Sequence, residues 1–220
     1  MTTPQRLTAA DRGPLHTDER RPPGTTPVLR VVPDRLDSDL DAATRAAGEF
    51  LAALGLDTTA AGLADTPRRM AASYTQLFTP RPFTATTFPN DEGYDELVLA
   101  RAIPLRSVCE HHLLPFTGVA HVGYLPGERI LGLSKLARLV EHFAARPQVQ
   151  ERLTQQIANW LYTELQPRGA GVVLDAEHTC MTARGVQAVG TRTITSALHG
   201  VLREDPRSRA EFFALTAVHH

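Results

Sequence analysis

The chain has little cysteine, no long apolar run and almost no net charge, and each of these excludes a class of protein. The only two cysteines among 220 residues, Cys109 and Cys180, lie far apart, which excludes a disulfide-built scaffold and suits a reducing cytoplasm. No apolar run approaches the roughly 18 residues that a transmembrane helix needs. The first residues contain no apolar stretch typical of a secretory signal, so we expect none. The formal net charge of −1 gives no general attraction to nucleic acid or to an anionic membrane.

The first part of the chain divides into an arm and a helical region. Residues 1–35 mix Pro, Gly, Thr and charged residues without periodicity, which predicts a disordered N-terminal arm. Residues 36–94 begin with apolar residues at helical spacing and predict a helical pair. Potential caps at Asp37–Asp39 open the first helix, and Thr66 followed by Pro67 opens the second.

Residues 95–217 predict a single α+β domain. A Pro- and Thr-rich loop over residues 79–93 precedes it. From residue 95 the order is strand, strand, helix, helix, strand, strand and a closing helix. Ser134 is the expected cap of the first of these helices, and the segment QVQERLTQQIANWLYTEL forms the second. This order predicts an antiparallel sheet with two helices packed on one face.

The segment SVCEHHLLPF concentrates side chains that bind metals. Cys109 and His112 are three positions apart, and Cys180 follows a predicted strand that ends in EHTC. Two thiolates and an imidazole are good zinc ligands and leave a fourth position for water, as a catalytic zinc requires. The spacing alone also allows two buried apolar cysteines, a disulfide, or a structural zinc completed by another residue.

Two neighbours of these candidate ligands carry further hypotheses. His111 adjoins His112, and at a strand end or bend it could stand beside the metal as an acid–base group. A surface histidine is the simpler alternative. Glu110 could orient a ligand or could be a solvated charge, and the spacing does not choose between these.

The segment GLSKLARLVEHF predicts an anion site at a helix start. Free backbone N–H groups favour an anion beside Ser134, whereas Lys135 and Arg138 oppose the helix dipole unless an anion is bound. Lysine and arginine together number 23, yet Lys135 is the single lysine, which suggests that its ammonium is used specifically. Arg184, four residues after Cys180, could add a cation near the metal. The alternative for each is an ordinary solvated side chain.

The segment QVQERLT places Gln150 and Glu151 at the start of the long helix. A carboxylate accepts two parallel hydrogen bonds, which matches the N1–H and 2-amino pair of guanine. The alternative is a first-turn glutamate that favours the helix dipole.

These residues lie in long motifs that resemble the zinc-dependent GTP cyclohydrolase I family. The motifs are CEHHLLPFTGVAHVGYLPGERILGLSKLARLVE, QVQERLTQQIA and HTCMTARGV. The resemblance runs from about residue 37 to 217. It implies the tunnelling fold, an antiparallel sheet with two packed helices, preceded here by the N-terminal helical pair. It also implies that subunits join into rings, that two rings stack as a homodecamer, and that active sites lie between subunits.

The resemblance further implies hydrolysis of GTP to 7,8-dihydroneopterin triphosphate and formate, the first step of tetrahydrofolate or other pterin biosynthesis. Water activated by Zn2+ attacks guanine C8 in that reaction. The zinc ligands correspond to Cys109, His112 and Cys180. The catalytic residues correspond to His111, His178 and Ser134. The substrate-binding residues correspond to Gln150 and Glu151 for guanine and to Lys135, Arg138 and Arg184, with Ser134, for the triphosphate.

One departure and two competing hypotheses accompany the resemblance. Relatives often carry a basic residue near position 72 of the second helix, where this chain has Ala72 after Arg68 and Arg69. A non-catalytic purine- or pterin-binding paralogue would need a fourth protein ligand or a lost acid–base residue, and His111 and His178 argue against it. A pterin synthase or deazaguanine reductase of the same fold would not be expected to combine the Cys2His set with the triphosphate residues.

Overall fold

The computed structural model of the chain describes residues 28–31, as backbone, and residues 38–217. Most of the predicted N-terminal arm therefore lies outside the described residues. The prediction of disorder is wrong for Val28–Val31, which form a strand, β1. That strand pairs with residues 83–86, more than fifty positions along the chain, and local periodicity cannot reveal such a partner.

Seven further strands and seven helices complete the described part of the chain. The strands are β2 Phe83–Pro89, β3 Val98–Cys109, β4 Pro115–Leu125, β5 Arg129–Leu131, β6 Pro147–Gln148, β7 Gly169–His178 and β8 Thr193–Gly200. The helices are α1 Leu40–Ala53, α2 Thr66–Phe78, α3 Leu133–Ala144, α4 Gln150–Leu165, α5 Thr179–Thr182, α6 Val201–Glu204 and α7 Pro206–Thr216.

The main sheet has the strand order β6-β3-β4-β7-β8 and is antiparallel except where the short β6 pairs with β3. Alternate residues of its strands form one core with the apolar stripes of α3 and α4, because neighbouring strand residues point to opposite faces. The members that are wholly buried include Phe116, Val122, Val172, Leu174, Leu136, Leu139, Leu153, Ile157 and Leu161. The predicted order and the predicted pair of helices on one face are confirmed.

The opposite face of the sheet carries α6 and α7 at one end. Phe212 of α7 is wholly buried there with Leu125, Val173 and Leu198. Its ring lies against Gly171, where an added Cβ would come within 2.7 Å of a ring carbon. Glycine at this position therefore lets the closing helix dock directly on the sheet.

The N-terminal helical pair is confirmed, with one difference in its caps. Asp39 caps α1 by accepting a hydrogen bond from the backbone N–H of Ala42, at 2.9 Å. Thr66 is the first residue of α2 rather than its cap, and Asp65 in the capping position makes no side-chain cap bond. The boundary differs by one residue because Pro67 is tolerated at either of the first two helical positions.

The predicted loop over residues 79–93 is wrong in its centre, because β2 occupies Phe83–Pro89. Residues 83–87 alternate between buried and part-buried, as a half-covered strand requires, and the last two residues of the strand are exposed. β2 pairs with β1 on one side and β5 on the other to form a separate three-stranded sheet. The Pro and Thr content of this segment concealed the alternation.

Among the described residues, none of the helices has the length and apolar character to cross a membrane.

Candidate functional site

Three adjacent strands, β3, β4 and β7, begin or end at the same end of the main sheet. Cys109 is the last residue of β3, β4 begins nearby at Pro115, and β7 ends at His178, which pairs with Phe116. The short helix α5 follows β7 at once and carries Cys180. Because β4 runs antiparallel to both neighbours, the far ends of β3 and β7 come together beside its start.

Cys109, His112 and Cys180 form a three-ligand group. Their ligand atoms all lie within 4.8 Å of one another, and no other such group occurs in the described part of the chain. Burial raises the pKa of the Cys180 thiol, the neighbouring Cys109 raises it further, and Arg184 lowers it. A divalent cation between the two sulfurs would remove this penalty, because it stabilises the thiolate form of its ligands. The donor set therefore fits a zinc ion with a fourth position left for water.

A tight turn after β3 presents both adjacent histidines. The N–H of Leu113 donates to the carbonyl of Cys109 at 2.8 Å, and Leu113 has a left-handed φ of 53°. His111 and His112 are exposed, and His111 Nδ1 lies 3.7 Å from the Cys109 sulfur. On an extended strand, the neighbouring side chains of His111 and His112 would point to opposite faces. The turn instead lets His112 reach the metal group while His111 stands beside it.

The hydroxyl of Tyr74 on α2 donates to the carbonyl of Leu113 at 3.1 Å. This bond joins the N-terminal helical pair to the turn that carries His111 and His112. Nothing in the periodicity of α2 indicates the contact, because the partners are separated by 39 residues.

His178 is held by a ring stack and a hydrogen bond. Its ring lies parallel to that of Phe116 at 4.5 Å, and its Nε2–H donates to Gln150 Oε1 at 2.7 Å. Burial lowers the pKa of His178, while the charge of the nearby Glu151 raises it. The second ring nitrogen, Nδ1, has no hydrogen-bond partner within the described residues and keeps its lone pair in the neutral ring.

Both the nitrogen and the oxygen of the Gln150 side-chain amide form hydrogen bonds inside the protein. The side chain is 2% exposed, and its Nε2 donates to Leu174 O, Thr193 O and Thr195 Oγ1 at 3.3, 2.9 and 3.1 Å. These three acceptors fix the amide orientation, so that Oε1 must face His178. The next residue, Glu151, is exposed at the start of α4. The contacts of Gln150 thus favour orientation of His178 over direct contact with a ligand.

Ser134, Lys135 and Arg138 lie in the first half of α3. Ser134 does not cap α3 as expected, since Gly132 holds the capping position and no side chain caps the helix. The opposite end of α3 is the one near the metal group, because Ala144 O accepts a 2.7 Å hydrogen bond from Ser107, two residues before Cys109. Roughly 15 Å of helix separates Lys135 from that end. Within one described chain, the predicted anion site and the metal group do not meet.

Glu110 has a defined partner that the sequence does not indicate. Its carboxylate forms an ion pair with Arg152 in the first turn of α4. The sequence indicates only that Arg152 follows Glu151, and the pair joins elements 42 residues apart. Glu110 is therefore attached to the helix start that carries Gln150 and Glu151.

The fold and site together define a class of protein. A Cys2His donor set with room for water, flanked by two histidines at the end of an antiparallel sheet, is typical of a metal-dependent enzyme that performs acid–base chemistry. Sequence comparison identifies the family within that class. Residues 43–217 match the GTP cyclohydrolase I family, and the chain belongs to it. The predicted resemblance and the predicted tunnelling fold are confirmed.

Relatives match the chain over most of its length. GTP cyclohydrolase 1 of Mycobacteroides abscessus is 53% identical over 180 residues, which cover 79% of this chain and 87% of that protein. The Aquifex aeolicus protein of the same name is 49% identical over 166 residues, 76% of this chain and 90% of the relative. GTP cyclohydrolase 1 of Rhodopirellula baltica is 44% identical over 211 residues, which cover 94% of this chain and 86% of that protein.

Proposed function

We propose that this chain hydrolyses GTP to 7,8-dihydroneopterin triphosphate and formate, the first step of tetrahydrofolate or other pterin biosynthesis. The observation that carries the proposal is the convergence of Cys109, His112 and Cys180 within 4.8 Å in a member of the GTP cyclohydrolase I family. We propose Zn2+ as the ion, because two thiolates and an imidazole favour it over harder cations. Reduced cysteines of this kind fit a cytoplasmic location.

In this proposal the substrate is held at both ends. Glu151, exposed at the start of α4, accepts hydrogen bonds from guanine N1–H and the 2-amino group. Lys135, Arg138 and Arg184 bind the triphosphate, and free N–H groups in the first turn of α3 add to the attraction. Ala72 supplies no charge to this site, and Arg69 on the same helix is paired with Asp65 at 3.4 Å.

The chemistry is acid–base catalysis beside the metal group. When bound, zinc supplies a Lewis acid that makes water acidic enough to act as a nucleophile near neutral pH. Water adds to guanine C8 while His111 protonates N7, and the imidazole ring opens to a formamide. A second water hydrolyses the formamide, which releases C8 as formate and leaves a free amine. The ribose then rearranges to a ketone, and the amine condenses with that ketone with loss of one water. His178 uses the lone pair on Nδ1 for proton transfers at the ribose, with Gln150 holding the ring and Ser134 assisting.

We further propose that each active site forms between subunits of a homodecamer. The position of Lys135 supports this, because it lies near the start of α3 whereas the metal group of the same chain lies near the end of that helix. The two edge strands of the main sheet, β6 and β8, each have a strand partner on one side only within the described residues. This supports assembly, since exposed edges favour pairing with another chain. In such a ring, Lys135 and Arg138 of one subunit would meet the metal group and Arg184 of another.

The decisive experiment is incubation of the purified protein with GTP. Formate and the absorbance of the pterin product should rise together, and metal analysis should give about one zinc per subunit. Cys180→Ser should abolish both metal and turnover. Metal below about a tenth of an equivalent after zinc-supplemented expression, or turnover that survives Cys180→Ser, would contradict the proposed site. Zinc retained without any turnover would instead favour a non-catalytic paralogue.

A further inference from the structure

Glu110 stands between the candidate ligand Cys109 and the candidate acid–base residue His111, and it is attached to α4 and β6 by one bond each, with a third bond joining its two partners. Its carboxylate accepts from Arg152 Nη2. Its backbone N–H donates to Gln148 O at 3.0 Å. Arg152 also donates through Nε to Gln148 Oε1 at 3.2 Å, so both members of the pair contact the same residue.

Gln148 is a rigid support for this pair. Its side chain is 1% exposed, and Nε2 donates to Phe143 O at 2.8 Å and to Gln156 Oε1 at 2.9 Å. These two bonds fix the amide orientation and direct Oε1 toward Arg152. A surface arginine usually samples many rotamers, but this guanidinium is held between a fixed amide and a carboxylate.

The first turn of α4 therefore directs three consecutive residues at three parts of the site. Gln150 bonds His178, Glu151 is the proposed guanine acceptor, and Arg152 bonds Glu110. We propose that Arg152 is a positioning residue: through Glu110 it sets the place of the turn that carries His111 and His112 relative to Glu151. This inference rests on the proposed function, since the distance between guanine and the metal group is what the pair controls.

The pair is suited to positioning rather than to stability. The side chains of Arg152 and Glu110 are 45% and 34% exposed, and ion pairs at such exposure contribute little to the free energy of unfolding. Groups that orient metal ligands, in contrast, commonly change metal affinity or activity about 10- to 100-fold when removed. Loss of the pair should therefore lower metal affinity and activity while leaving the free energy of unfolding nearly unchanged.

The test compares Arg152→Gln, Arg152→Lys and Glu110→Gln with the unmodified protein. We expect Arg152→Gln to raise the apparent Kd for Zn2+, measured by competition with a chelating dye, about 10-fold or more. Its kcat for GTP should fall about 10- to 100-fold, with a smaller change in KM and little change in thermal midpoint. Arg152→Lys should recover part of both losses, because one ammonium can reach Glu110 but cannot also hold Gln148 in the same geometry.

A double-mutant cycle and a remote arginine complete the design. If the two residues act through one ion pair, Glu110→Gln combined with Arg152→Gln should be no worse than the poorer single variant. Arg209→Gln on α7, whose guanidinium lies 5.2 Å from the Phe213 ring, should leave zinc affinity and kcat unchanged. Unchanged zinc affinity and kcat in Arg152→Gln, or a loss matched by a fall in thermal midpoint and not relieved by Arg152→Lys, would overturn the proposal. The zinc titration needs no turnover, so its result stands apart from a failure of the proposed reaction.

Discussion

At the scale of single residues, Lys135 offers the sharpest test of the triphosphate site. If its ammonium contacts phosphate, Lys135→Ala removes a charge-assisted hydrogen bond that contributes roughly 1.5–3 kcal/mol. Steady-state kinetics should then show kcat/KM for GTP lower by roughly 10-fold to over 100-fold. Lys135→Arg should recover only part of the loss, because a planar fork does not occupy the ammonium position. Metal content should remain normal, since Lys135 is remote from the metal group.

Glu151→Gln is the matched control for that change. It should weaken binding of GTP and guanosine alike, because both carry the guanine that the carboxylate is proposed to hold. Lys135→Ala should weaken only GTP, since guanosine has no phosphate. If Lys135→Ala weakened both equally, or neither, Lys135 would not be a phosphate ligand and its status as the single lysine would be a matter of composition.

His121 is a second residue whose behaviour can be measured alone. It lies in β4, is 2% exposed, and neither ring nitrogen has a partner within the described residues. Burial lowers its pKa from the ordinary 6.5, Arg101 lowers it further, and Asp175 opposes the shift. A lowered pKa means that the unfolded chain binds the proton more readily. Its contribution to stability is therefore complete above pH 6.5 and is lost as the pH falls toward the folded pKa.

We expect the thermal midpoint of the protein to fall between neutral pH and about pH 5, with His121 as one cause. In His121→Leu the fall should be smaller, because an apolar side chain of similar volume removes both the titration and the unpaired ring nitrogens. Scanning calorimetry of both proteins across that range makes the measurement. Identical slopes of midpoint against pH would rule out His121 as a contributor.

At the scale of elements, the docking of α7 on the sheet depends on glycine. A Cβ at Gly171 would lie 2.7 Å from Phe212 Cζ and 2.8 Å from Leu198 Cδ2. Gly171→Ala should therefore reduce the free energy of unfolding by about 1–3 kcal/mol in denaturant titrations, the usual cost of overpacking a core. Gly62→Ala is the control, since no atom lies within 4 Å of the added Cβ. Equal stability of the two variants would show that α7 adjusts without cost.

Long periodic elements could be predicted from the sequence, and short paired ones could not. α4 combines a buried stripe of Leu153, Ile157 and Leu161 with a break at Pro167, so its existence follows from local pattern. β2 is stabilised by two partner strands distant in the sequence, and neither partner is visible in its own composition. The predicted cap of α3 is wrong for a related reason, because the N–H of Gly132 donates to the carbonyl of Thr86 in β2 and no local side chain caps the helix.

The site shows the same division between local chemistry and long-range contacts. The metal ligands could be predicted as a set, because two cysteines with a histidine are typical of zinc sites and of few other functions. They are Cys109, His112 and Cys180. The pairing of Glu110 with Arg152 could not, because charged residues are common and any of many partners would satisfy either one. The position of Lys135 relative to the metal group could not either, since it depends on how α3 lies on the finished sheet.

At the scale of the whole molecule, the separation of Lys135 from the metal group has a consequence for assembly. If each active site takes its metal group from one subunit and its phosphate residues from another, a monomer of 24.0 kDa cannot turn over GTP. Light scattering at micromolar concentration should show a closed homo-oligomer. A monomer that retains full activity at that concentration would contradict a shared site.

Mixed oligomers provide the stronger test of that arrangement. Cys180→Ser removes a metal ligand, and Lys135→Glu places a repelling charge in the phosphate site, so neither variant alone should be active. Co-expression in equal amounts should restore about a quarter of the wild-type activity, because one site in four receives an intact half from each partner by random assembly. A site built within one chain would always carry one defect and would regain nothing. Tagged subunits should confirm that both variants occupy the same oligomer, and inactivity of such verified mixtures would place the whole site in a single chain.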